Sequence, residues 1–171
     1  MACVLCWSPP LAGATAAQEQ IGNNSLGFVS AAPNVNFSDT LNGKDQTVTA
    51  TQALDIGDAR GSGAGWNITA TSTTFTAGAV TLSTTATTVQ SAPTIACDSG
   101  ATCLFATNSI SYPYTLPAAT SAPTATKVFN SALNTGMGDP TVTVTWTLAI
   151  PGKTLAGSYT STWTLSLVTG P

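Results

Sequence analysis

The 171-residue sequence has no histidine and few charged side chains, with four Lys and Arg against seven Asp and Glu. Without an imidazole, a His-dependent catalytic triad, a His-ligated zinc site and a histidine pH switch are all excluded. Nucleic acids are bound largely through clustered Lys and Arg, so DNA and RNA are not expected as partners. The composition thus removes the commonest nucleophilic enzymes and nucleic-acid-binding proteins from consideration.

Long apolar runs are also missing from the sequence. A membrane-spanning helix needs about 18 or more consecutive apolar residues, and no such run occurs. Hydrophobic residues nevertheless make up 43% of the chain, and threonine, with 32 copies, is the commonest residue. A hydrophobic content this high, arranged periodically, predicts a packed domain without a membrane span rather than a disordered chain.

The first 17 residues differ from the rest because they are apolar, uncharged and end in small residues. Residues 14–17 read ATAA, which fits the small-residue cleavage site of a signal peptide, although the basic start of such a peptide is missing. We interpret residues 1–17 as a truncated signal peptide and residues 18–171 as a single domain. A disordered tail is the alternative to the leader. The leader predicts a secreted, extracellular protein.

The four cysteines divide into two pairs by position. Cys3 and Cys6 fall in the leader, whereas Cys97 and Cys103 enclose a polar loop of five residues. In an oxidising compartment the second pair predicts one disulfide that fixes this loop. Two free thiols that hold a metal are the alternative, but zinc would need further ligands. We therefore predict a disulfide and neither a metal nor a cofactor.

Aspartates offer the remaining route to catalysis. Asp39, Asp45, Asp55 and Asp58 lie within twenty residues of sequence, and glycosidases use two carboxylates. Nothing in the sequence brings these four together, and Asp55 with Asp58 lacks the regular spacing of a calcium loop. We predict a non-enzymatic protein.

Apolar and polar residues alternate from residue 28 onward, with Gly, Pro and Asn between the alternating segments. The pattern is typical of an all-β chain, and we predict an antiparallel β-sandwich of about six to nine short strands, with a Greek-key barrel as the alternative. The predicted strands are Gln46–Leu54, Gly65–Phe75, Ala79–Val89, Thr141–Ile150 and Ser158–Val168, with weaker ones near Leu26–Asn36 and Cys103–Tyr114.

The last two predicted strands carry the clearest alternation. Trp146 and Leu148 lie on the apolar face of the first, and Trp163 and Leu165 on that of the second. The turn-rich segment between them predicts a hairpin in which Trp146 lies opposite Trp163 in the core. The alternative is that the two indoles are platforms on which sugar rings stack.

Two segments resemble the signatures of the WxL-domain family of Gram-positive surface proteins. Residues 58–69 read DARGSGAGWNIT and residues 157–165 read GSYTSTWTL, in the family's order. Ile68 stands where the first signature has Leu, and an additional Trp-x-Leu occurs at residues 146–148. The resemblance implies non-covalent binding to the cell wall, to a wall glycan or peptidoglycan, without catalysis. The alternative is a structural subunit that binds other surface proteins or its own copies through a free strand such as Gln18–Val35.

The first signature also has an interpretation independent of the family. Glycines alternate at residues 61–65, which permits positive φ angles and predicts a sharp corner leading Trp66 into a strand. Asp58 and Arg60 either form an ion pair that fixes this corner or, with Trp66, contact a ligand. A ligand contact predicts that Arg60→Ala weakens wall binding alone, whereas a structural role predicts loss of folding as well.

Overall fold

The computed structural model describes residues 24–171, so the predicted leader, with Cys3 and Cys6, lies outside the described residues. Within this part all the regular structure is β-structure, and no helix is long and apolar enough to cross a membrane. The strands are β1 Leu26–Phe28, β2 Gln46–Asp58, β3 Trp66–Thr73, β4 Thr76–Ala77, β5 Val80–Thr81, β6 Thr87–Val89, β7 Thr94–Cys97, β8 Tyr114–Thr115, β9 Ala118–Ala119, β10 Thr126–Ser131, β11 Pro140–Ile150 and β12 Trp163–Thr169.

These strands form two principal sheets, which pack as a sandwich. The larger has the order β1-β2-β11-β6-β8. Strand β7 pairs with the first residues of β11, and β6 pairs with a later part of the same strand. The smaller has the order β10-β3-β12, with β9 added in parallel to the end of β3. Strands β4 and β5 form a separate two-stranded ribbon. The sandwich prediction is confirmed, since no closed barrel forms within residues 24–171. The described residues form twelve strands rather than six to nine, because several of them are pairings of only two to four residues.

The centre of the larger sheet is the pair β2 and β11, whose antiparallel register runs without interruption from Gln46–Ile150 to Asp55–Thr141. One face of β11 is buried, including Trp146 and Leu148, and the threonines that alternate with the apolar residues along the strand point away from the core. Burial of each large apolar side chain contributes about 1.5–3 kcal/mol relative to exposure. The period-2 pattern therefore sets which face of β11 the sandwich covers.

The core lies between the two sheets and takes side chains from both. Trp146 of the larger sheet meets Trp163 of the smaller one, with ring centroids 4.8 Å apart and planes at 75°. Trp163 and Leu165 are partly exposed and pack against the buried cluster. The core side chains with no exposed surface are Leu54, Ile56, Trp66, Ile68, Val89, Leu116, Val128, Val142, Val144 and Trp146.

The predicted hairpin of the last two strands is wrong. Strand β11 pairs with β2, β6 and β7, whereas β12 pairs with β3 in the opposite sheet. The connection crosses between the sheets, and Thr160 within it forms an antiparallel bridge with Thr76. Trp146 and Trp163 do contact each other, but across the core rather than beside each other. Alternation shows that each strand has a buried face. It does not show whether the two strands are neighbours in one sheet or lie in opposite sheets that face each other.

Other predicted strands are shorter than expected or interrupted. The predicted strand Ala79–Val89 is broken by a turn, in which Ala86 N donates to Ser83 O, 3.1 Å away, and the Ser83 and Thr85 hydroxyls pair. The segment Leu26–Asn36 is a strand only over β1, and Cys103–Tyr114 only at its last residue. Local hydrogen bonds of Ser and Thr compete with strand pairing, which explains the break.

Candidate functional site

The glycine-rich segment forms the predicted corner between β2 and β3. Gly61, Gly63 and Gly65 all have positive φ, between 62° and 71°. At Gly65 a β-carbon would overlap the carbonyl oxygen of Ser131, so the strand that carries Ser131 lies against the bare backbone. The glycines therefore serve both the turn and the close approach of two chain segments.

Arg60 holds this corner with its guanidinium group. Its Nε and Nη2 donate to the two carboxylate oxygens of Asp58 at 2.8 and 2.9 Å. Nη2 also donates to Gly65 O at 2.9 Å, and Nη1 donates to Thr169 Oγ1 in β12 at 3.0 Å. One side chain thus ties the end of β2 to the glycine loop and to the last strand.

The ion pair is mostly buried, with 1% of the Asp58 side chain and 14% of the Arg60 side chain exposed. Hydrogen bonds from Arg60 hold the pKa of Asp58 below its usual range, although burial acts in the opposite direction. The same hydrogen bonds raise the pKa of Arg60. The predicted ion pair that fixes the glycine corner is confirmed.

Trp66 starts β3 directly after the corner, and none of its surface is exposed. Its indole Nε1 donates to Gly136 O at 2.9 Å, and its ring lies against Phe129 with centroids 5.8 Å apart. The structure thus brings Asp58, Arg60 and Trp66 together at one corner, where only Arg60 has appreciable contact with solvent. Contact of these three residues with a ligand stays a prediction, and their burial favours the structural interpretation.

The predicted disulfide between Cys97 and Cys103 is present and closes the loop after β7. Next to it lies a carboxylate cluster, which we define as Asp55, Asp98 and Asp139, whose oxygens lie within 4.8 Å of one another. Carboxylate oxygens are ligands of the kind that Ca²⁺ prefers, so these are the side chains with which a cation would interact. The sequence did not predict this cluster, because its members come from distant segments that only the pairing of β11 with β2 and β7 unites.

The carboxylate cluster has an electrostatic cost. Burial, followed by the negative charges of Asp98 and Asp139, raises the pKa of Asp55. The Oδ1 atoms of Asp55 and Asp139 are buried without a hydrogen-bond partner among the described residues. A raised carboxyl pKa means that the folded state binds the proton more tightly than the unfolded state, so ionisation at neutral pH opposes folding.

We therefore expect Asp55→Asn to raise the free energy of unfolding at pH 7, by less than about 1 kcal/mol because the cluster is partly solvated. The gain should shrink as the pH falls through the raised pKa and vanish below the usual carboxyl value of about 4, where both states are protonated. Urea unfolding between pH 3.5 and 7, with EDTA present, measures this. Asp45→Asn, which removes an equal charge elsewhere, is the control, and an equal gain in both variants would contradict the cluster effect.

A second candidate site is an open groove that we call the aromatic groove. It consists of two adjoining cavities of about 650 and 830 Å³. Residues 32–41 from the β1–β2 connection line it, as do residues 154–161 from the β11–β12 connection. The remaining lining residues are Phe28, Gln52, Phe75, Leu82, Leu148, Ile150, Trp163, Thr164 and Leu165.

Aromatic rings form a continuous row at this groove. Phe37 contacts Phe75 edge-to-face with centroids 6.1 Å apart, and Phe75 contacts Trp163 in the same manner at 6.3 Å. All three are partly exposed, and Trp163 rests on the buried Trp146 behind it. Trp163 therefore packs against the core on one side and lines the groove on the other.

Hydrogen bonds hold the segments that line the groove. Gln52 donates from Nε2 to Pro33 O at 2.8 Å and accepts from Trp146 Nε1 at 2.9 Å. On the other connection, the backbones of Thr76 and Thr160 exchange two hydrogen bonds of 2.9 Å. Sequence reasoning did not predict the groove, because segments without regular alternation line most of it, although the alternative interpretation of Trp163 as a platform for sugar rings points to one of its lining residues.

A comparison with protein families supports the resemblance that the two signature segments indicate. The family described as "WxL domain surface cell wall-binding" matches residues 10–171, which is nearly the whole chain and includes both segments. No curated protein and no solved structure matches the chain. Since the match extends over the glycine corner, both sheets and the aromatic groove, the chain belongs to the WxL-domain family.

Proposed function

We propose that this domain attaches its polypeptide to the bacterial cell wall by non-covalent contacts with peptidoglycan, without catalysis. The observation that carries the proposal is the match to a surface cell wall-binding family over residues 10–171. An extracellular, wall-associated location follows from the same proposal, and the leader predicted at residues 1–17 is consistent with it.

The chemistry of the groove supports binding rather than hydrolysis. Glycosidases that use carboxylates need two of them beside the scissile bond. Of the residues that the structure describes, Asp39 is the single charged one that lines the aromatic groove, and its Oδ2 accepts a hydrogen bond of 2.7 Å from Gln46. Asp58 is engaged by Arg60 at the glycine corner. One carboxylate without a partner acid or base suits a site that holds a ligand unchanged.

The glycine corner remains a proposed second contact with the wall. Arg60 is the member of the predicted ligand set that a wall polymer reaches most readily, since Asp58 and Trp66 are 3% and 0% exposed. Its four side-chain hydrogen bonds leave little capacity for a ligand. The corner therefore supports wall binding mainly by holding β2, β3 and β12 in place.

The alternative is a structural subunit that polymerises by strand addition. In the predicted donor segment Gln18–Val35, residues 26–28 already form β1 of the chain's own sheet, and residues 18–23 lie outside the described part. A candidate acceptor is β12, which pairs with β3 on one side and ends the smaller sheet within residues 24–171. Exposed edges of this kind accept added strands. Filaments or layers seen by negative-stain microscopy of the pure protein would favour this alternative.

Co-sedimentation with purified Gram-positive cell walls tests the proposed function. We expect the full chain to pellet with the walls in a saturable manner and to be released by denaturant, as a non-covalent complex requires. Serum albumin, which should remain in the supernatant, controls for trapping. A chain that stays in the supernatant at every wall concentration would contradict wall binding.

A further inference from the structure

We propose that the aromatic groove is the wall-binding site and that its occupant is an uncharged glycan strand, bound through its sugar rings rather than through peptide or phosphate groups. The inference rests on the proposed wall binding and adds to it the place and the chemical class of the ligand.

The shape of the groove suits a polymer. The two cavities share five lining residues, Val35, Asn36, Phe75, Tyr159 and Thr160, so they are continuous. Each volume, about 650 and 830 Å³, lies in the range of a complete small-molecule pocket. Two such sites in succession fit consecutive units of a linear chain better than one isolated small ligand.

The lining of the groove combines aromatic rings with hydrogen-bonding groups. The row of Phe37, Phe75 and Trp163 offers apolar surface, against which the C–H face of a pyranose packs. Asn34 and Asn36 are exposed at the groove, and each amide both donates and accepts hydrogen bonds. Sugar hydroxyls need both kinds of partner, so the combination matches a carbohydrate.

The charge of the groove argues against anionic wall polymers. Among residues 24–171, no Lys or Arg lines either cavity, and the single charged lining residue is the anion Asp39. Phosphate-rich polymers are bound by clustered cations, usually arginines in bidentate geometry. An anionic polymer would meet one like charge and no counter-charge in this groove. An uncharged glycan meets no such penalty.

The groove is also held in place before a ligand arrives. Gln52, with 3% of its surface exposed, bridges Pro33 of one lining segment to the buried Trp146. Tyr159 OH donates to Leu155 O at 2.9 Å within the other lining segment. Because little side-chain and loop freedom remains to be lost, binding costs less conformational entropy.

Titration with an uncharged sugar oligomer tests the assignment directly. The probe is a soluble oligomer of N-acetylglucosamine, which carries no carboxylate, peptide or phosphate group, and calorimetry measures its affinity for the full chain. We expect Tyr159→Ala to weaken binding by about tenfold or more, since it removes a ring from the shared part of the groove. Phe105→Ala removes an exposed ring outside the groove and should bind within about twofold of the wild type.

A charge variant distinguishes the class of ligand. Asn36→Lys removes an exposed amide and adds a cation, so we expect about threefold to tenfold weaker binding to the uncharged glycan. An anionic occupant would instead bind this variant more tightly. Ser91→Lys adds the same charge at an exposed site outside the groove and is the control. Binding of the wild type should change little between about 50 and 500 mM salt, because screening does not affect an uncharged ligand.

The outcomes separate the groove from the wider function. Circular dichroism shows whether the Tyr159→Ala and Asn36→Lys variants are folded. If the wild type sediments with walls and both folded variants bind as well as the wild type, the groove assignment is overturned, whereas wall binding stands. Binding to intact walls but not to the uncharged oligomer overturns the uncharged-glycan assignment. Failure of the wild type to bind walls at all overturns the proposed function and the groove with it.

Discussion

Replacing Trp146 with alanine is expected to lower the free energy of unfolding by about 3–5 kcal/mol. The indole has no exposed surface, and its ring centroid lies 4.8 Å from that of Trp163. Truncation therefore leaves a cavity between the two sheets. It also removes the donor to Gln52 Oε1, which is itself buried. A loss of this size approaches the whole stability of many domains.

Urea unfolding monitored by circular dichroism measures this loss, and two further variants divide it into parts. Trp163→Ala should cost less than Trp146→Ala, because the Trp163 ring is already partly exposed. Trp146→Phe retains most of the packing but leaves the Gln52 carbonyl without its donor, which costs about 1–3 kcal/mol. A loss below about 1 kcal/mol for Trp146→Ala would contradict the packing between the sheets.

The second large effect is expected at the glycine corner, where Arg60→Ala should cost about 3–5 kcal/mol. The substitution leaves Asp58 buried without its counter-charge, and it frees Gly65 O and Thr169 Oγ1 from the group that joins them. Arg60→Lys keeps the charge but loses the planar, bidentate geometry, so an intermediate loss is expected. Lys153→Ala, which removes an exposed cation, is the control and should change stability by less than about 0.5 kcal/mol.

The pH dependence identifies the cause of this loss. The pKa of Asp58 is lowered in the folded state, so its pair with Arg60 contributes stability above the usual carboxyl range. This contribution is lost as the pH falls through the lowered pKa, because protonation removes the charge that Arg60 binds. Arg60→Ala should therefore be most costly near neutral pH and least costly in acid. A cost that does not change with pH would show that packing, rather than charge, accounts for the effect.

Parts of the fold and of the site could be predicted because they depend on neighbouring residues. The alternation around Trp146 and Leu148 identifies a buried strand face, since side-chain direction follows from the period of the backbone. The glycine corner and the pair of Asp58 with Arg60 arise within a few residues of sequence. For the same reason the two halves of the disulfide, Cys97 and Cys103, could be assigned to each other.

Other parts depend on pairings that no local pattern specifies. The partner of β12 is β3 rather than β11, and the residues of both strands are compatible with either arrangement. The carboxylate cluster requires the register that places Thr141 beside Asp55 and Pro140 beside Cys97. The aromatic groove depends on two irregular connections that meet only after both sheets have formed. Tertiary context decides each of these features.

The strand pairings also impose an order of events on folding. Strand β2 finds its principal partner in β11, and β3 finds one of its partners in β12, the last strand of the chain. Synthesis from the N-terminus delivers β2 and β3 first, and their apolar faces then remain without these partners until β11 and β12 have been made. Topologies dominated by such distant contacts fold in milliseconds to seconds, whereas local helical bundles fold in microseconds. The domain therefore completes both principal sheets only after β11 and β12 are present, and until then the unpaired apolar faces are exposed to aggregation.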